Sequence, residues 1–270
     1  MGSRWPLRML MRLVLFSVML AALGCAALPG AAGAINTVGG EFDGNDHPAV
    51  GGLLVETDEG LSLICSGTLI SPTVFLTASH CTVGEDRVYV SFDPTDVEHT
   101  DAVLAGTAQT NPDYKPPYQN DISVVVLDEP VVGIEPAQLP TEGLVNELDA
   151  SGALRDTLFT NVGYGTQEQL VVPGTGPTFP FTGDRWRSVS TFIALTPEQL
   201  HLGQRRAQGE GGTCYGDSGG PQFLGAGDDE TNIVISVTST GDGPCYATNV
   251  TTRTDTEDAR EFLSQFVDLP

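Results

Sequence analysis

The sequence predicts an all-β fold, either a barrel or a sandwich. Short runs rich in β-branched and aromatic residues recur between glycine, proline and polar turns. Long segments with helical periodicity are absent until the end of the chain, and such regularly spaced strands are typical of barrels and sandwiches. The clearest runs are Val50–Val55, Leu61–Ile70, Val88–Phe92, Asp121–Leu127, Leu158–Val162 and Ile233–Val237.

The start of the chain has the pattern of a secretory signal peptide. Three arginines precede an apolar stretch over 13–23, and Ala32-Gly33-Ala34 has the A-x-A form of a cleavage site. The apolar stretch is too short for a good membrane span. We therefore expect residues 1–34 to be removed, leaving a secreted domain over 35–270 that begins at Ile35. A lipid anchor at Cys25 is the alternative, although Leu23 stands one place too close to Cys25 for a lipobox.

The last segment predicts a helix over 255–267. Thr254-Asp255-Thr256-Glu257 has the form of a capping box. Phe262, Leu263, Phe266 and Val267 then follow helical spacing and would form an apolar stripe that packs on the rest of the fold.

Charge and cysteines limit the class of protein. The chain has 12 Lys+Arg and 35 Asp+Glu, a formal net charge of −23 at pH 7, which disfavours nucleic acid and anionic membranes as partners. An ordinary acidic exported protein is the interpretation we favour over adaptation to salt or to cationic substrates. Four cysteines follow the predicted signal peptide, and they allow three disulfide pairings. These are Cys65, Cys81, Cys214 and Cys245.

Three segments carry residues suited to acyl transfer. Gly216-Asp217-Ser218-Gly219-Gly220-Pro221 places a serine hydroxyl on a sharply bent, glycine-rich backbone whose N–H groups could face a ligand. His80 ends the apolar run that starts at Val74, and Asp121 heads another apolar run. Taken singly, each has an ordinary structural explanation: a polar turn, a core histidine and a solvated strand start.

Together the three segments resemble the chymotrypsin/trypsin-like serine peptidases over nearly the whole of the predicted secreted chain. Thr77-Ala78-Ser79-His80-Cys81 is similar to the histidine box of that family, with Ser79 where alanine is usual. Asn120-Asp121-Ile122 is similar to its aspartate box, and the serine hexapeptide matches completely. The order His, Asp, Ser is also that of the family.

The resemblance implies two six-stranded antiparallel β-barrels with a C-terminal helix. The N-terminal barrel is expected over about 35–145 and the C-terminal barrel over about 146–253. The crossover is expected near 140–155, where Pro140, Gly143 and Gly152 interrupt the strand pattern. The resemblance also selects the disulfides Cys65–Cys81 and Cys214–Cys245.

The family mechanism implies a role for each motif residue. His80 would accept the proton of Ser218, Asp121 would orient the imidazole, and the N–H groups of Gly216 and Ser218 would bind the oxyanion. No metal or organic cofactor is expected, the substrates would be proteins or peptides, and nothing indicates more than a monomer. A binding protein that has lost activity and an esterase are the alternatives, but all three catalytic residues are present and a long cleft favours peptides.

Two features depart from the pattern of the family. Gly212 stands where trypsin-like members carry an aspartate, so together with Thr213, Ser239 and Gly241 it predicts a pocket for neutral, apolar residues rather than for Arg or Lys.

The second departure concerns the N-terminus. In the family pattern Asp217 would pair with a new N-terminal amine. However, Ile35 lies two residues too early relative to Val38-Gly39-Gly40. The working N-terminus could be Ile35, could follow a cut before Thr37, or could be unnecessary if Asp217 has another partner.

Two further segments are interpreted as structural. Thr166 to Arg187 is rich in Gly, Pro and Thr and follows Gly163-Tyr164-Gly165, which resembles the Gly-Trp-Gly segment of the family. We expect a mobile surface loop there, at the rim of the cleft. The motif Asp43-Gly44-Asn45-Asp46-His47-Pro48 predicts a tight turn in which His47 is structural.

Overall fold

Strands form the framework of the chain, which a computed structural model describes over residues 39–167, 169–172, 174 and 176–270. The predicted signal peptide and the segment 35–38 lie outside the described residues. A two-residue strand, β1 (Glu41–Phe42), comes first. The next six strands are β2 (Val50–Thr57), β3 (Gly60–Ser71), β4 (Val74–Thr77), β5 (Arg87–Ser91), β6 (Val103–Thr110) and β7 (Ser123–Leu127).

These six strands close into the first antiparallel barrel. Their order is β2-β3-β4-β7-β6-β5, and β5 pairs back onto β2. Alternate residues of each strand point inward, and the interior is filled by Leu53, Leu69, Phe75, Val90 and Val125, all fully buried. The apolar runs that predicted strands in this half of the chain supply this core.

The second barrel also has six antiparallel strands. They are β8 (Leu158–Gly163), β11 (Trp186–Leu195), β12 (Gln199–Gly203), β13 (Pro221–Leu224), β14 (Val234–Gly241) and β15 (Thr248–Arg253). The order is β8-β11-β12-β15-β14-β13, closed by pairing of β13 with β8, and β1 adds to β11. Its interior is partly polar: the amide of Asn161 donates to the hydroxyls of Ser188 at 3.2 Å and Ser190 at 2.8 Å.

The predicted fold class is confirmed, with two six-stranded barrels and a C-terminal helix. Most described residues of the segment 166–184 are exposed or half-buried, as expected of a surface loop, but the segment 166–187 also has regular structure and a buried end. It contains a small hairpin of β9 (Leu170–Val172) and β10 (Gly176–Thr178), and it ends in the fully buried Arg185 and the first residues of β11.

The described chain also contains three short α-helices, α1 (Ser79–Thr82), α2 (Leu144–Ser151) and α3 (Glu257–Leu263), and three 3-10 helices, Ala153–Asp156, Arg206–Gln208 and Gly227–Asp229. Helix α2 occupies the region where the strand pattern was predicted to break. The capping prediction for α3 was wrong by two residues, because Thr256 is the N-cap and accepts from the N–H of Ala259. The hydroxyl of Thr254 instead donates to the carbonyl of Val234 at 2.7 Å, deep in the fold.

A shared apolar cluster joins the two barrels and α3. It includes Val50 and Leu76 from the first barrel, Phe223 and Val237 from the second, and Phe262 from the helix. This cluster packs the two barrels and α3 against one another. Fully burying a side chain of this size contributes about 1.5–3 kcal/mol.

A buried charge network ties the segment before β2 to the second barrel. The guanidinium of Arg185, fully buried, donates to Asp43 at 2.9 Å and to the carbonyl of Val50 at 2.9 Å. The ring of His47 contacts Asp43 at 2.5 Å through Nδ1 and Glu230 at 2.6 Å through Nε2. His47 therefore holds a structural position between two carboxylates, and it stacks on Phe223.

The charge of His47 should make stability depend on pH. Burial alone would lower the pKa of His47, but hydrogen bonds and the opposite charges of Asp43 and Glu230 raise it to about 9. A histidine whose pKa is higher in the folded state stabilises that state. The contribution is complete at pH values below the unfolded pKa of about 6.5, and it is lost as the pH rises through about 9. We expect the free energy of unfolding to fall by up to about 3 kcal/mol between pH 6.5 and 9.5, as measured by urea denaturation. The variant His47→Gln should lack this step, and an equal slope in the variant would contradict it.

Candidate active site

The histidine segment is anchored to the aspartate segment. Strand β4 ends at Thr77, and α1 then carries His80. The hydroxyl of Ser79 donates to the carbonyl of Ile122 at 2.7 Å, and the disulfide Cys65–Cys81 joins α1 to β3. Serine at position 79 therefore provides a bond that alanine could not.

His80 and Asp121 meet in a two-point contact. Nδ1 of His80 lies 2.7 Å from one carboxylate oxygen of Asp121, and the backbone N–H of His80 donates to the other at 2.9 Å. Asp121 is fully buried and also accepts from the hydroxyl of Ser239 at 2.5 Å. An ionised carboxylate only accepts, so Nδ1–H donates to it, and in the neutral imidazole Nε2 is then left as the acceptor. The sequence did not indicate this contact of Ser239.

The serine loop depends on the conformations that its glycines adopt. Gly216 has φ of 97° and Gly219 has φ of 77°, both in the left-handed region that favours glycine. A Cβ on Gly219 would lie 2.1 Å from the hydroxyl oxygen of Thr77. The loop can therefore pack directly against the end of β4, next to the histidine segment.

Two N–H groups of this loop have no hydrogen-bond partner among the described residues. The carbonyl of Tyr215 accepts from the N–H of Thr166 at 2.6 Å, and the carbonyl of Asp217 accepts from the N–H of Gly220 at 2.8 Å. In a trans peptide the N–H points away from the carbonyl, so the N–H groups of Gly216 and Ser218 each point away from the bond that their own peptide carbonyl makes. Within the described residues neither donates a hydrogen bond, so both are available to a developing oxyanion.

The serine and histidine open onto one cavity of about 280 Å³. Its lining residues are His80, Tyr118, Thr213, Cys214, Tyr215, Ser218, Thr238, Ser239, Thr240, Gly241, Asp242, Gly243 and Cys245. The disulfide Cys214–Cys245 joins two sides of this wall. A larger cavity of about 620 Å³ lies by His47 and Arg187 and is lined by none of the three motif residues.

Gly212 does not line this cavity, unlike Thr213, Ser239 and Gly241. The side chain of Gln204 occupies the space in front of it: a Cβ on Gly212 would lie 2.1 Å from Oε1 of Gln204. That oxygen accepts from the N–H of Thr213 at 3.0 Å, and Gln204 is buried. The expected opening at Gly212 is therefore filled, and no local pattern around Gln204 could have indicated it.

One negative side chain, that of Asp242, does reach the cavity wall. Burial raises its pKa, but backbone hydrogen bonds outweigh burial and lower it. Its oxygens accept from the N–H groups of Tyr246 at 2.8 Å, Ala247 at 2.9 Å and Thr248 at 2.7 Å. The carboxylate is thus ionised and engaged in holding the loop that follows β14.

Asp217 is buried behind the serine loop. Its two oxygens accept from the N–H groups of Gly165 at 2.8 Å and Cys214 at 2.9 Å. Burial raises the pKa of Asp217 to about 7, and these two backbone bonds offset it only in part. Among the residues that the structure describes, no cation is bonded to it, while the expected amine of residues 35–37 lies outside them.

Cys65, His80 and Cys81 place three potential metal-ligand atoms within 4.8 Å of one another. Both sulfurs belong to one disulfide, and a metal would require thiolates, so these residues do not fit a metal centre.

Within the described part of the chain, no helix is long and apolar enough to cross a membrane.

Comparisons with known proteins agree with this geometry. Residues 37–259 match the sequence model of a family described as Trypsin. The chain is 32% identical over 218 residues to a protein named Trypsin from Saccharopolyspora erythraea, covering 76% of this chain and 87% of that one. It is 29% identical over 195 residues to a trypsin-like protease from Streptomyces glaucescens, covering 68% and 67% of the two chains.

A solved structure titled HL collagenase is similar in fold. The TM-score is 0.62 at 20% sequence identity, covering 85% of this chain and 94% of that chain. At this identity the likeness bears on the fold alone, and it agrees with the two-barrel architecture.

Proposed function

Because the chain belongs to the trypsin family and is a serine endopeptidase, we propose that Ser218, His80 and Asp121 perform its chemistry. Ser218 attacks the peptide carbonyl, His80 takes the proton through Nε2, and Asp121 holds the imidazole in that tautomer. The N–H groups of Gly216 and Ser218 stabilise the oxyanion. The two-point contact between His80 and Asp121, beside a cavity that Ser218 shares, is the observation that carries this proposal.

We also propose that the enzyme acts outside the cell as a monomer. Residues 1–34 would serve as the signal peptide and 35–270 as the peptidase, with the barrels divided near residue 145. The two disulfides, Cys65–Cys81 and Cys214–Cys245, support an oxidising compartment. Lipid anchoring at Cys25 is the alternative outcome.

Cleavage is proposed to follow neutral rather than basic residues. Thr213, Ser239 and Gly241 give the cavity a neutral wall, and Gln204 fills the space beside Gly212 where trypsin-like members carry an acid. Asp242 is the one carboxylate of the lining, and its oxygens are engaged by backbone N–H groups. A cationic side chain therefore finds no free carboxylate deep in the pocket.

Asp217 is proposed to pair with the amine of a processed N-terminus. A fully buried carboxylate with a pKa near 7 is costly to ionise at neutral pH, and an ammonium group beside it would remove that cost. Such a pair would hold the loop that carries Gly216 and Ser218.

One mass-spectrometric experiment tests these proposals together. The full chain would be expressed with export, its N-terminus would be determined, and it would be treated with a fluorophosphonate. The sites at which the enzyme cleaves a denatured substrate protein would then be mapped. We expect an N-terminus at Ile35 or Thr37, one fluorophosphonate label on Ser218, and cleavage mainly after uncharged residues.

The proposals on catalysis, on specificity and on the N-terminus can each be contradicted separately. A protein without cleavage and without a label would be a binding protein, and one that labels and hydrolyses esters only would be an esterase. Predominant cleavage after Arg and Lys would contradict the neutral pocket and would point to Asp242 as the acid. An intact N-terminus on active enzyme would exclude the pairing of Asp217.

A further inference from the structure

Ser66 connects the first barrel to the serine loop of the second. It lies in β3, paired with Gly52 of β2, and is fully buried. Its hydroxyl donates to the carbonyl of Gly216 at 2.9 Å, and its N–H donates to the carbonyl of Ser218 at 2.8 Å. One residue thus binds both residues whose N–H groups form the proposed oxyanion hole.

These two bonds fix the peptide units that flank the oxyanion donors. The unit between Gly216 and Asp217 is held at its carbonyl by Ser66 and at its N–H by the carbonyl of Cys214 at 3.1 Å. The unit between Ser218 and Gly219 is held at its carbonyl by Ser66 and at its N–H by the carbonyl of Thr238 at 2.7 Å. A planar peptide bonded at both ends cannot rotate without breaking a bond, so the N–H groups beside it keep their direction.

Ser66 is itself held in place on two sides. Its hydroxyl accepts from the N–H of Tyr164 at 3.0 Å, and its carbonyl accepts from the hydroxyl of Thr77 at 2.9 Å. The N–H next to that of Tyr164, on Gly165, binds the carboxylate of Asp217 at 2.8 Å. The two residues that follow β8 therefore support the serine loop through Ser66 and Asp217 together.

We propose that Ser66 is a positioning residue for catalysis: its hydroxyl, held by Tyr164, orients the oxyanion hole through the carbonyl of Gly216. This inference rests on the proposed function of Ser218 and Gly216. The hydroxyl contributes to the preorganisation of donors, which matters most when charge develops on the substrate oxygen. Its loss should therefore affect the transition state more than the bound substrate.

The test compares Ser66→Ala and Ser66→Gly, which lack the hydroxyl, with Ser66→Thr, which keeps it. Removing one oxyanion donor outright costs about 10²–10³ in turnover. Because Ser66 acts through the backbone, we expect kcat to fall by about 10- to 100-fold with KM within about threefold. Affinity for a peptidyl boronic acid, whose adduct places an oxygen in the hole, should weaken in parallel, and Ser66→Thr should restore most of kcat.

Ser236→Ala is the matched control. Ser236 is also fully buried, donates to Gln222 at 3.1 Å and accepts from Thr251 at 2.8 Å, so its loss imposes a similar cost on folding. We expect unchanged kcat and boronate affinity per active site, counted by titration. The inference is overturned if Ser66→Ala or Ser66→Gly keeps the kcat of the unmodified enzyme, if the loss lies in KM alone, or if Ser236→Ala loses as much. An unmodified enzyme that neither cleaves nor labels would overturn the proposed function and this inference with it.

Discussion

Ser218→Ala should lower kcat by about 10⁶ on a peptide substrate and abolish labelling by a fluorophosphonate. The hydroxyl is the proposed nucleophile, and no neighbouring side chain offers an equivalent one: the other hydroxyls of the cavity lining belong to threonines, to Tyr118 and Tyr215, and to Ser239, which donates to Asp121. About 10³–10⁴-fold acceleration over water should remain, because the oxyanion donors and the binding cleft are retained.

A measurement of stability distinguishes loss of the nucleophile from misfolding of the Ser218→Ala variant. In the described part of the chain the hydroxyl of Ser218 has no hydrogen-bond partner, whereas its carbonyl, which alanine keeps, accepts from Ser66. The free energy of unfolding should therefore change by no more than about 0.5 kcal/mol. Ser264→Ala, at an exposed serine of the C-terminal turn, is the control and should keep full activity.

The histidine assignment can be tested with the same label. His80→Ala should remove fluorophosphonate labelling, since no other described histidine lines the cavity. His201→Ala is the matched control: His201 is partly buried in β12 and its pKa is lowered by burial. Labelling lost in the His201 variant but kept in the His80 variant would contradict the proposed base.

Most strands of the first barrel could be predicted from the sequence because their inward side chains are apolar. Runs such as Val50–Val55 and Asp121–Leu127 indicate strands, since valine, leucine and phenylalanine fill the interior. In the second barrel the interior of β11 carries Ser188 and Ser190, which bond to Asn161. Alternation of apolar and polar residues is lost when the inward side chains are also polar, so β11 and β15 gave no strand signal.

In the candidate site, too, some residues could be predicted from the sequence and others could not. The motif residues lie in short segments with an unusual local composition, so His80, Asp121 and Ser218 could be proposed from the sequence alone. Ser66 and Gln204 could not: Ser66 acts across the fold and binds Gly216 from 150 positions away. Gln204 fills the space at Gly212, and neither residue has a motif around it.

Asp121→Asn should lower kcat by about 10⁴, the loss that this change causes in type members of the family. Asp121 accepts three hydrogen bonds and donates none: two come from His80 and one comes from Ser239. An asparagine of the same shape has only one oxygen. If that oxygen meets the backbone N–H of His80, the amide N–H₂ group faces Nδ1 and forces it to accept. The ring proton then moves to Nε2, which can no longer take the proton of Ser218.

The opposite amide orientation does not rescue the site. With its oxygen toward Nδ1, the asparagine would set an N–H₂ donor against the backbone N–H of His80, which is also a donor and has no freedom to turn. Ser239 bonds the same oxygen position as Nδ1, so its hydroxyl keeps donating in this orientation and can rotate to accept in the other. The two contacts from His80 cannot both be satisfied in either orientation. The measurement is kcat per titrated active site, with Asp128→Asn, at an exposed carboxylate paired with Arg87, as the control. A kcat for Asp121→Asn within tenfold of the unmodified enzyme would mean that the carboxylate fixes the histidine in space without setting its tautomer.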